Sequence, residues 1–288
     1  MEKLLVKASL LTGAKGQIRA LRTRLQPKAP EQRQYPIVTV KSWRSGRGYA
    51  NFGDDLSRVI VTLLIAKSGR TLDDEARTPR QLLAIGSIMH LAQTDAVIWG
   101  TGVNGKVPDD FHKFESLDIR AVRGPHTRDW LRSRHGLEVP EIYGDPALLL
   151  PELVGSRLQA NPVHDHVFVP NLNDLLGKVE LNLPSGVKMI SPMQSWNRVV
   201  ADIVQARFVS STSLHGLVVA EAFGIPARYV RLSQEESLLK YDDYYAGTGR
   251  EKYTMSSSVA EAAEMGGERP ISFDSQKLRA AFPWDLWC

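Results

Sequence analysis

Short apolar runs alternate along most of the chain with glycine-containing turns and amphipathic stretches, a pattern that predicts strands alternating with helices and a mostly parallel sheet. Residues 36–43 (PIVTVKSW) alternate as a first strand, followed by the loop 44–55 (RSGRGYANFGDD). An amphipathic helix runs from about Asp54 to Lys67, with Asp54 or Asp55 as its N-cap. Residues 82–86, 96–102 and 118–123 read as further strands. Pro125 opens a helix that Gly136 closes, and 142–150 (IYGDPALLL) reads as one more strand edge. Proline, glycine, serine and asparagine gather between Pro151 and Asp165, where a domain boundary is placed. The pattern then restarts: strands at 166–172 and 187–192, a helix at 196–206, a strand at 207–209, a polar turn at 210–213, a second apolar helix, and a strand at 227–232. Residues 240–250 (KYDDYYAGTGR) read as a loop, 257–265 as a helix, and Phe282, Trp284 and Trp287 as anchors for the C-terminus.

The resulting expectation is an α/β protein of two Rossmann-like domains facing across a cleft. Its parts are an arm at 1–34, domains at 35–155 and 156–254, and a helical C-terminal segment at 255–288. A length of 288 residues agrees with two domains, and 43% hydrophobic with 24% charged residues is ordinary for a globular chain. The single cysteine, Cys288, rules out an internal disulfide, offers no zinc cluster and fits a reducing cytoplasm. No stretch is apolar for long enough to span a bilayer.

Charge changes the picture at one place. The formal net charge is +4, yet residues 1–34 hold eight basic side chains against Glu2 and Glu31. Leu4, Leu11, Ile18 and Leu25 recur every seventh position, so a helix here carries an apolar stripe edged with positive charge. Residues 1–28 thus have the pattern of a segment that lies on an anionic membrane surface, a helix docked on the protein's own body or a mobile leader being the alternatives. Nucleic-acid binding is not expected, because aromatic residues do not interleave with this basic stretch.

Candidate chemistry concentrates in 207–226 (RFVSSTSLHGLVVAEAFGIP). A strand, a turn of small hydroxyl residues and a helix N-terminus present amides and hydroxyls to an anion, with Ser211 and Ser213 in the turn. His215 stands at that mouth as a proton donor or acceptor; capping alone would also account for the serines. Arg123, at a strand's end before a helix, is placed to grip a carboxylate or phosphate, or else to pair with Asp118 or Asp145. The loop before the first helix contributes Asn51, Gly53 and Asp54. Neither GxGxxG nor GxxxxGK[ST] occurs, so dinucleotide and P-loop binding are not indicated. Tyr241, Asp242, Asp243, Tyr244 and Arg250 have the composition of a sugar-binding surface, and equally of packing at a domain seam.

Taken together, NFGDDLS (51–57), WGTGVNGK (99–106), DIRAVRGPHTR (118–128), YGDPALLLP (143–151), SSTSLHGLVVAEAFGIP (210–226) and KYDDYYAGTGR (240–250) resemble the polysaccharide pyruvyltransferase family. Within it the likeness is to the xanthan- and succinoglycan-type ketal-pyruvate transferases. The resemblance implies a glycosyltransferase-B-like fold and transfer of pyruvate from phosphoenolpyruvate to two hydroxyls of one sugar, forming a cyclic ketal. It implies donor-binding or catalytic roles for Arg123 and His215. Several relatives carry an arginine where Ser213 stands, so another cation must share the donor; Lys106, Arg228, Arg231 and Arg250 are candidates. Asp54 is expected to accept a proton from the attacking hydroxyl. No cofactor or metal is expected. The partners are phosphoenolpyruvate and a lipid-linked oligosaccharide, met in the cytoplasm with peripheral contact to the inner face of the membrane. A nucleotide-sugar-dependent glycosyltransferase of the same fold, and a non-catalytic sugar-binding protein, are the alternatives.

Overall fold

The computed structural model describes residues 35–177 and 179–287. The expected basic arm and its membrane contact at residues 1–28 lie outside the described residues, as does Cys288. From Pro36 onward the chain is organised around two four-stranded sheets in which every paired strand is parallel. The first contains β1 (Val38–Lys41), β2 (Arg80–Leu83), β3 (Ala96–Trp99) and β4 (Leu117–Ala121) in that spatial order. The second contains β5 (His164–Val169), β6 (Lys188–Met189), β7 (Ala206–Ser211) and β8 (Ala227–Tyr229) in the order β6-β5-β7-β8. Val40, Leu82 and Val97 share one register layer of the first sheet; Val167 and Val209 pair in the second. β3 is buried along its whole length, as a strand covered on both faces must be.

The helices follow from their apolar spacing. α1 (Phe52–Ala66) turns Phe52, Leu56, Ile60 and Leu64, each four residues apart, into the core. α2 (Pro125–His135) has proline in its first turn and ends at Gly136, whose φ of 64° is the left-handed conformation glycine adopts readily. Among the described residues the remaining helices are α3 (Leu150–Val154), α4 (Leu172–Leu176), α5 (Trp196–Ile203), α6 (Leu214–Ala222), α7 (Leu239–Gly247), α8 (Val259–Met265) and α9 (Ser275–Ala280). α6 is apolar apart from His215 and Glu221 and is largely buried accordingly. Among the described residues no helix is long and apolar enough to cross a membrane.

One apolar core runs through both sheets: Leu82 and Val97 belong to the same cluster as Val167, Val209 and α6. The Phe52 N–H at the start of α1 donates to Pro192 O, after β6, at 2.9 Å. Trp99 donates to Leu278 O at 2.8 Å and packs edge-on against Phe282, so the C-terminal segment covers the first sheet.

Three local expectations need correction. α1 starts before Asp54, with Asn51 in extended conformation as its N-cap, which leaves Asp54 and Asp55 inside the first turn. Residues 142–150 do not form a strand: Tyr143 alone bridges to Val122, Asp145 caps a 3-10 turn at Pro146–Leu149, and proline supplies no N–H for a ladder. Residues 240–247 are helical, because Tyr241, Tyr244, Tyr245 and Thr248 form one buried face.

Candidate active site

Segments leaving the C-terminal ends of both sheets meet at a cavity of about 280 Å³, the position ligands take in parallel α/β sheets. The first sheet contributes Trp43 after β1, Asn51 and Asp54 at the start of α1, Ser87 and His90 after β2, and Asn104 and Lys106 after β3. The second contributes Asn171 and Asn173 after β5, Ser213 and His215 after β7, and Glu236 and Lys240 after β8.

His215 is the second residue of α6. Its ring lies against the first turn of α1, so close that a Cβ at Gly53 would collide with Nδ1; glycine is what lets the two helix starts meet. His215 Nε2 is buried without a hydrogen-bond partner and faces Asp145 Oδ2, likewise unpartnered, at 3.8 Å. That is beyond hydrogen-bond range but well within charge-pair range. The other Asp145 oxygen accepts from Ala147 N–H at 2.9 Å, which fixes the carboxyl's direction. Burial, then the positive charges of Lys240 and Arg123, draw the imidazole below its ordinary value, so His215 is neutral at pH 7. Burial raises Asp145 to about 6, against the Ala147 N–H and Arg123, which lower it. A neutral imidazole backed by a buried carboxylate can accept a proton, because the carboxylate stabilises the imidazolium as it forms.

Asp54 accepts from Asn51 Nδ2 through Oδ2 at 2.7 Å. Burial is the largest influence on it and raises it to about 7, outweighing the Asn51 contact. Asp54 therefore still holds a proton over much of the neutral range. The cavity lining also holds a charged triad. Glu236 Oε1 accepts from Lys106 Nζ at 2.7 Å and Asn173 Nδ2 at 3.0 Å, while Oε2 accepts from Lys240 Nζ at 2.7 Å. Burial alone would raise Glu236, but the two lysines and Asn173 hold it down at about 2. Two ammonium groups bridged by one carboxylate leave a net positive charge and free N–H donors at the cavity wall, suited to an anion. Among the described residues, no three His, Cys, Asp or Glu side chains gather as ligands for a metal ion.

The profile of the family described as polysaccharide pyruvyl transferase matches residues 32–234, which hold every residue lining the cavity except Glu236 and Lys240. The chain belongs to the polysaccharide pyruvyl transferase family. It is 27% identical over 212 residues to the succinoglycan biosynthesis protein ExoV of Rhizobium meliloti (strain 1021), covering 70% of this chain and 62% of that protein. It is 25% identical over 176 residues to an uncharacterized protein of Acanthamoeba polyphaga mimivirus, covering 58% of this chain and 60% of the other. The chain thus spans about three fifths of the length of both relatives. Among solved structures, an uncharacterized Klebsiella pneumoniae protein aligns with a TM-score of 0.45 at 14% identity, covering 73% of this chain and 87% of that one.

In this pyruvyl transferase family member the remaining candidate residues take other positions. Arg123 is buried behind the cavity wall, donating to Asp243 Oδ2 at 3.0 Å, Ser87 Oγ at 2.6 Å and Val103 O at 3.1 Å. It reaches the cavity through Ser87, not directly. Ser211 closes the turn before α6: its Oγ lies 2.6 Å from Val169 O and accepts from Ser213 N–H at 2.9 Å. A Cβ at Gly216 would strike that hydroxyl, so glycine lets α6 seat on β5 and β7. Ser213 lines the cavity as the N-cap of α6 and makes no capping hydrogen bond with its side chain.

Arg231 is half-buried with Nε unpartnered and does not line the cavity. Arg228 pairs with Glu268 and Arg250 with Glu221, each at 2.5 Å, so of the four candidate cations Lys106 alone reaches the cavity.

The five residues read as a sugar-binding surface line no part of it. Tyr241 donates to Thr212 O at 2.7 Å and stacks on Tyr229; Tyr244 donates to Glu221 at 2.5 Å. Asp243 accepts from Arg123, from Thr127 N–H at 2.9 Å and from Thr127 Oγ1 at 2.6 Å; Asp242 accepts from Tyr253 at 2.8 Å. They form the seam between α7, α2 and α6. The cavity's Glu236, Lys240, Asn171 and Asn173 had no assigned role on sequence grounds, and Asp145, behind His215, was considered only as a partner for Arg123. The one available signal was Lys240 opening the KYDDYY motif.

Proposed function

We propose that this chain transfers pyruvate from phosphoenolpyruvate to two hydroxyls of one sugar, making a cyclic ketal on an exopolysaccharide unit. The observation that carries the proposal is the gathering of Lys106 and Lys240, joined by Glu236, with His215 and Asp54 around one small cavity. Family membership supports the pyruvyl group, and the succinoglycan-pathway relative supports an exopolysaccharide acceptor. In this reading the two parallel sheets are the Rossmann-like halves of a glycosyltransferase-B-like arrangement.

The donor's carboxylate and phosphate bind the two ammonium groups and the amides at the start of α6. Asp54, which keeps its proton near neutrality, delivers it to the methylene carbon, whose electron pair forms the new C–H bond and leaves an oxocarbenium-like centre. A sugar hydroxyl attacks that centre while neutral His215 takes its proton and Asp145 stabilises the imidazolium. His215 then returns the proton to the departing phosphate, and a second hydroxyl closes the ketal with loss of its own proton to Asp54. Arg123 holds Ser87 in place at the wall. A lipid-linked acceptor at the cytoplasmic membrane face would give residues 1–28 a purpose.

Incubation with phosphoenolpyruvate and hexose-terminated oligosaccharides should release inorganic phosphate in step with a ketal methyl signal in the product's NMR spectrum. No phosphate release with any such acceptor would sink the proposal.

A further inference from the structure

A cavity of about 280 Å³ lies just below the range of pockets that enclose drug-sized ligands, about 300–1,000 Å³. It takes a three-carbon donor and the reacting edge of one sugar; the rest of an oligosaccharide must be held outside. The tyrosine-rich segment expected to do this is packed in the core, so the acceptor surface lies elsewhere. The loop 43–50 begins and ends on the rim, since Trp43 and Asn51 both line the cavity. Trp43 and Tyr49 are each 38% exposed, which is unusual for rings that pack well when given the chance. The loop is open at its glycines: a Cβ at Gly46 or Gly48 would meet no atom within 4 Å. Arg47 is exposed, and Arg44 is exposed with Asp55 at 3.2 Å.

We infer that Trp43 and Tyr49 are the acceptor platform, holding a pyranose by stacking its C–H face while Arg44 and Arg47 donate to ring and hydroxyl oxygens. Aromatic faces carry negative quadrupole and attract the polarised C–H face of a sugar, and guanidinium donors match hydroxyl acceptors. The platform sets which sugar presents two hydroxyls to His215. Only that last point rests on the pyruvyl transfer reading; sugar binding at Trp43 does not.

Saturation-transfer NMR with methyl disaccharides ending in glucose, galactose or mannose tests binding without any donor. At least one sugar should bind the wild-type chain, and Trp43→Ala should weaken it about tenfold, with Trp43→Phe retaining most of the affinity. The circular dichroism spectrum should not change and the melting temperature should fall only slightly, since the indole is 38% exposed and outside the core. In turnover, Trp43→Ala should raise KM for acceptor about tenfold and leave KM for phosphoenolpyruvate within about twofold. Equal saturation transfer in wild type and Trp43→Ala, no transfer to any sugar, or a rise confined to the donor's KM would each overturn the inference. Trp43-dependent sugar binding without phosphate release from phosphoenolpyruvate would leave the platform standing and remove the pyruvyl transfer reading instead.

Discussion

Replacing Asp145 with asparagine isolates the electrostatic half of the proposed dyad. The amide keeps the shape of the carboxyl and can still accept from Ala147 N–H, so the 3-10 turn beneath it should persist. What disappears is the negative charge 3.8 Å from His215 Nε2, which at an effective dielectric of about 20 attracts an imidazolium by about 4 kcal/mol. That attraction exists only when the ring is protonated, so its loss falls on the transition state and corresponds to about a thousandfold in kcat. KM for phosphoenolpyruvate should change little. Stability should not follow activity. Asp145 has a folded value of about 6 against 3.8 in a free chain, so its ionised form costs the folded state about 3 kcal/mol. Because the folded value is the higher one, that cost is fully present above about pH 6, fades as pH falls from there, and is gone below 3.8. The Asp145→Asn substitution would remove it but bury an amide with an incomplete set of partners, so the melting temperature at pH 7 should stay near wild type. Steady-state phosphate release by Asp145→Asn, His215→Ala and the double variant is the assay, with the double variant no slower than His215→Ala alone. A kcat for Asp145→Asn within about threefold of wild type would refute the dyad.

Lys106→Ala and Lys240→Ala each remove one charge-assisted contact to the donor, about 1.5–3 kcal/mol, and should raise KM for phosphoenolpyruvate about 10- to 100-fold in initial-rate measurements. Asp54, raised to about 7, should give kcat/KM an alkaline limb near pH 7, and Asp54→Asn should abolish the limb along with most activity; a limb of opposite sign would make Asp54 a base, as first expected from its sequence position. Arg250→Ala removes the only positive partner of Glu221 among the described residues, now bound through contacts of 2.5 and 2.8 Å, leaving it the Tyr244 hydroxyl alone, and should cost about 3 kcal/mol in thermal unfolding, while the folded fraction keeps its KM for acceptor. A selective rise in that KM would return Arg250 to the acceptor site.

The alternation of strands and helices was legible because buried parallel strands such as AVIW at Ala96–Trp99 leave an unbroken apolar run, and because Pro125 and Gly136 punctuate α2. The wall around His215 was legible in part: a serine-rich turn before an apolar helix identifies the helix mouth, and Asn51, Asp54, Lys106 and Ser213 do line the cavity. Asp145 was not, since its meaning comes from a residue distant in sequence and brought near only when the 3-10 turn docks on α6. The Glu236 bridge escaped for the same reason, each of its partners except Lys240 lying on a different segment. The KYDDYY segment misled by composition. Its tyrosines suggest a sugar surface, yet Tyr241, Tyr244, Tyr245 and Thr248 fall at i, i+3, i+4 and i+7, a helical period that the burial of all four follows.

The charge inventory of the cavity has a consequence that can be measured without any acceptor. At pH 7 the wall carries Lys106 and Lys240 against Glu236, with His215 neutral and Asp54 partly ionised. Phosphoenolpyruvate brings a carboxylate and a phosphate of about −1.5 to −2, more negative charge than the wall can match. The surplus must raise the affinity of nearby groups for protons, and Asp54, already near its midpoint, responds first. Donor binding near pH 7 should therefore take up a fraction of a proton. Binding enthalpies measured by calorimetry in buffers of differing ionisation enthalpy give that number as a slope. Asp54→Asn should flatten the slope while still binding the donor, because the lysines remain. If wild type shows no buffer dependence, or if Asp54→Asn shows the same slope, then Asp54 does not hold its proton beside the donor, and the acid in the proposed first step must be found elsewhere.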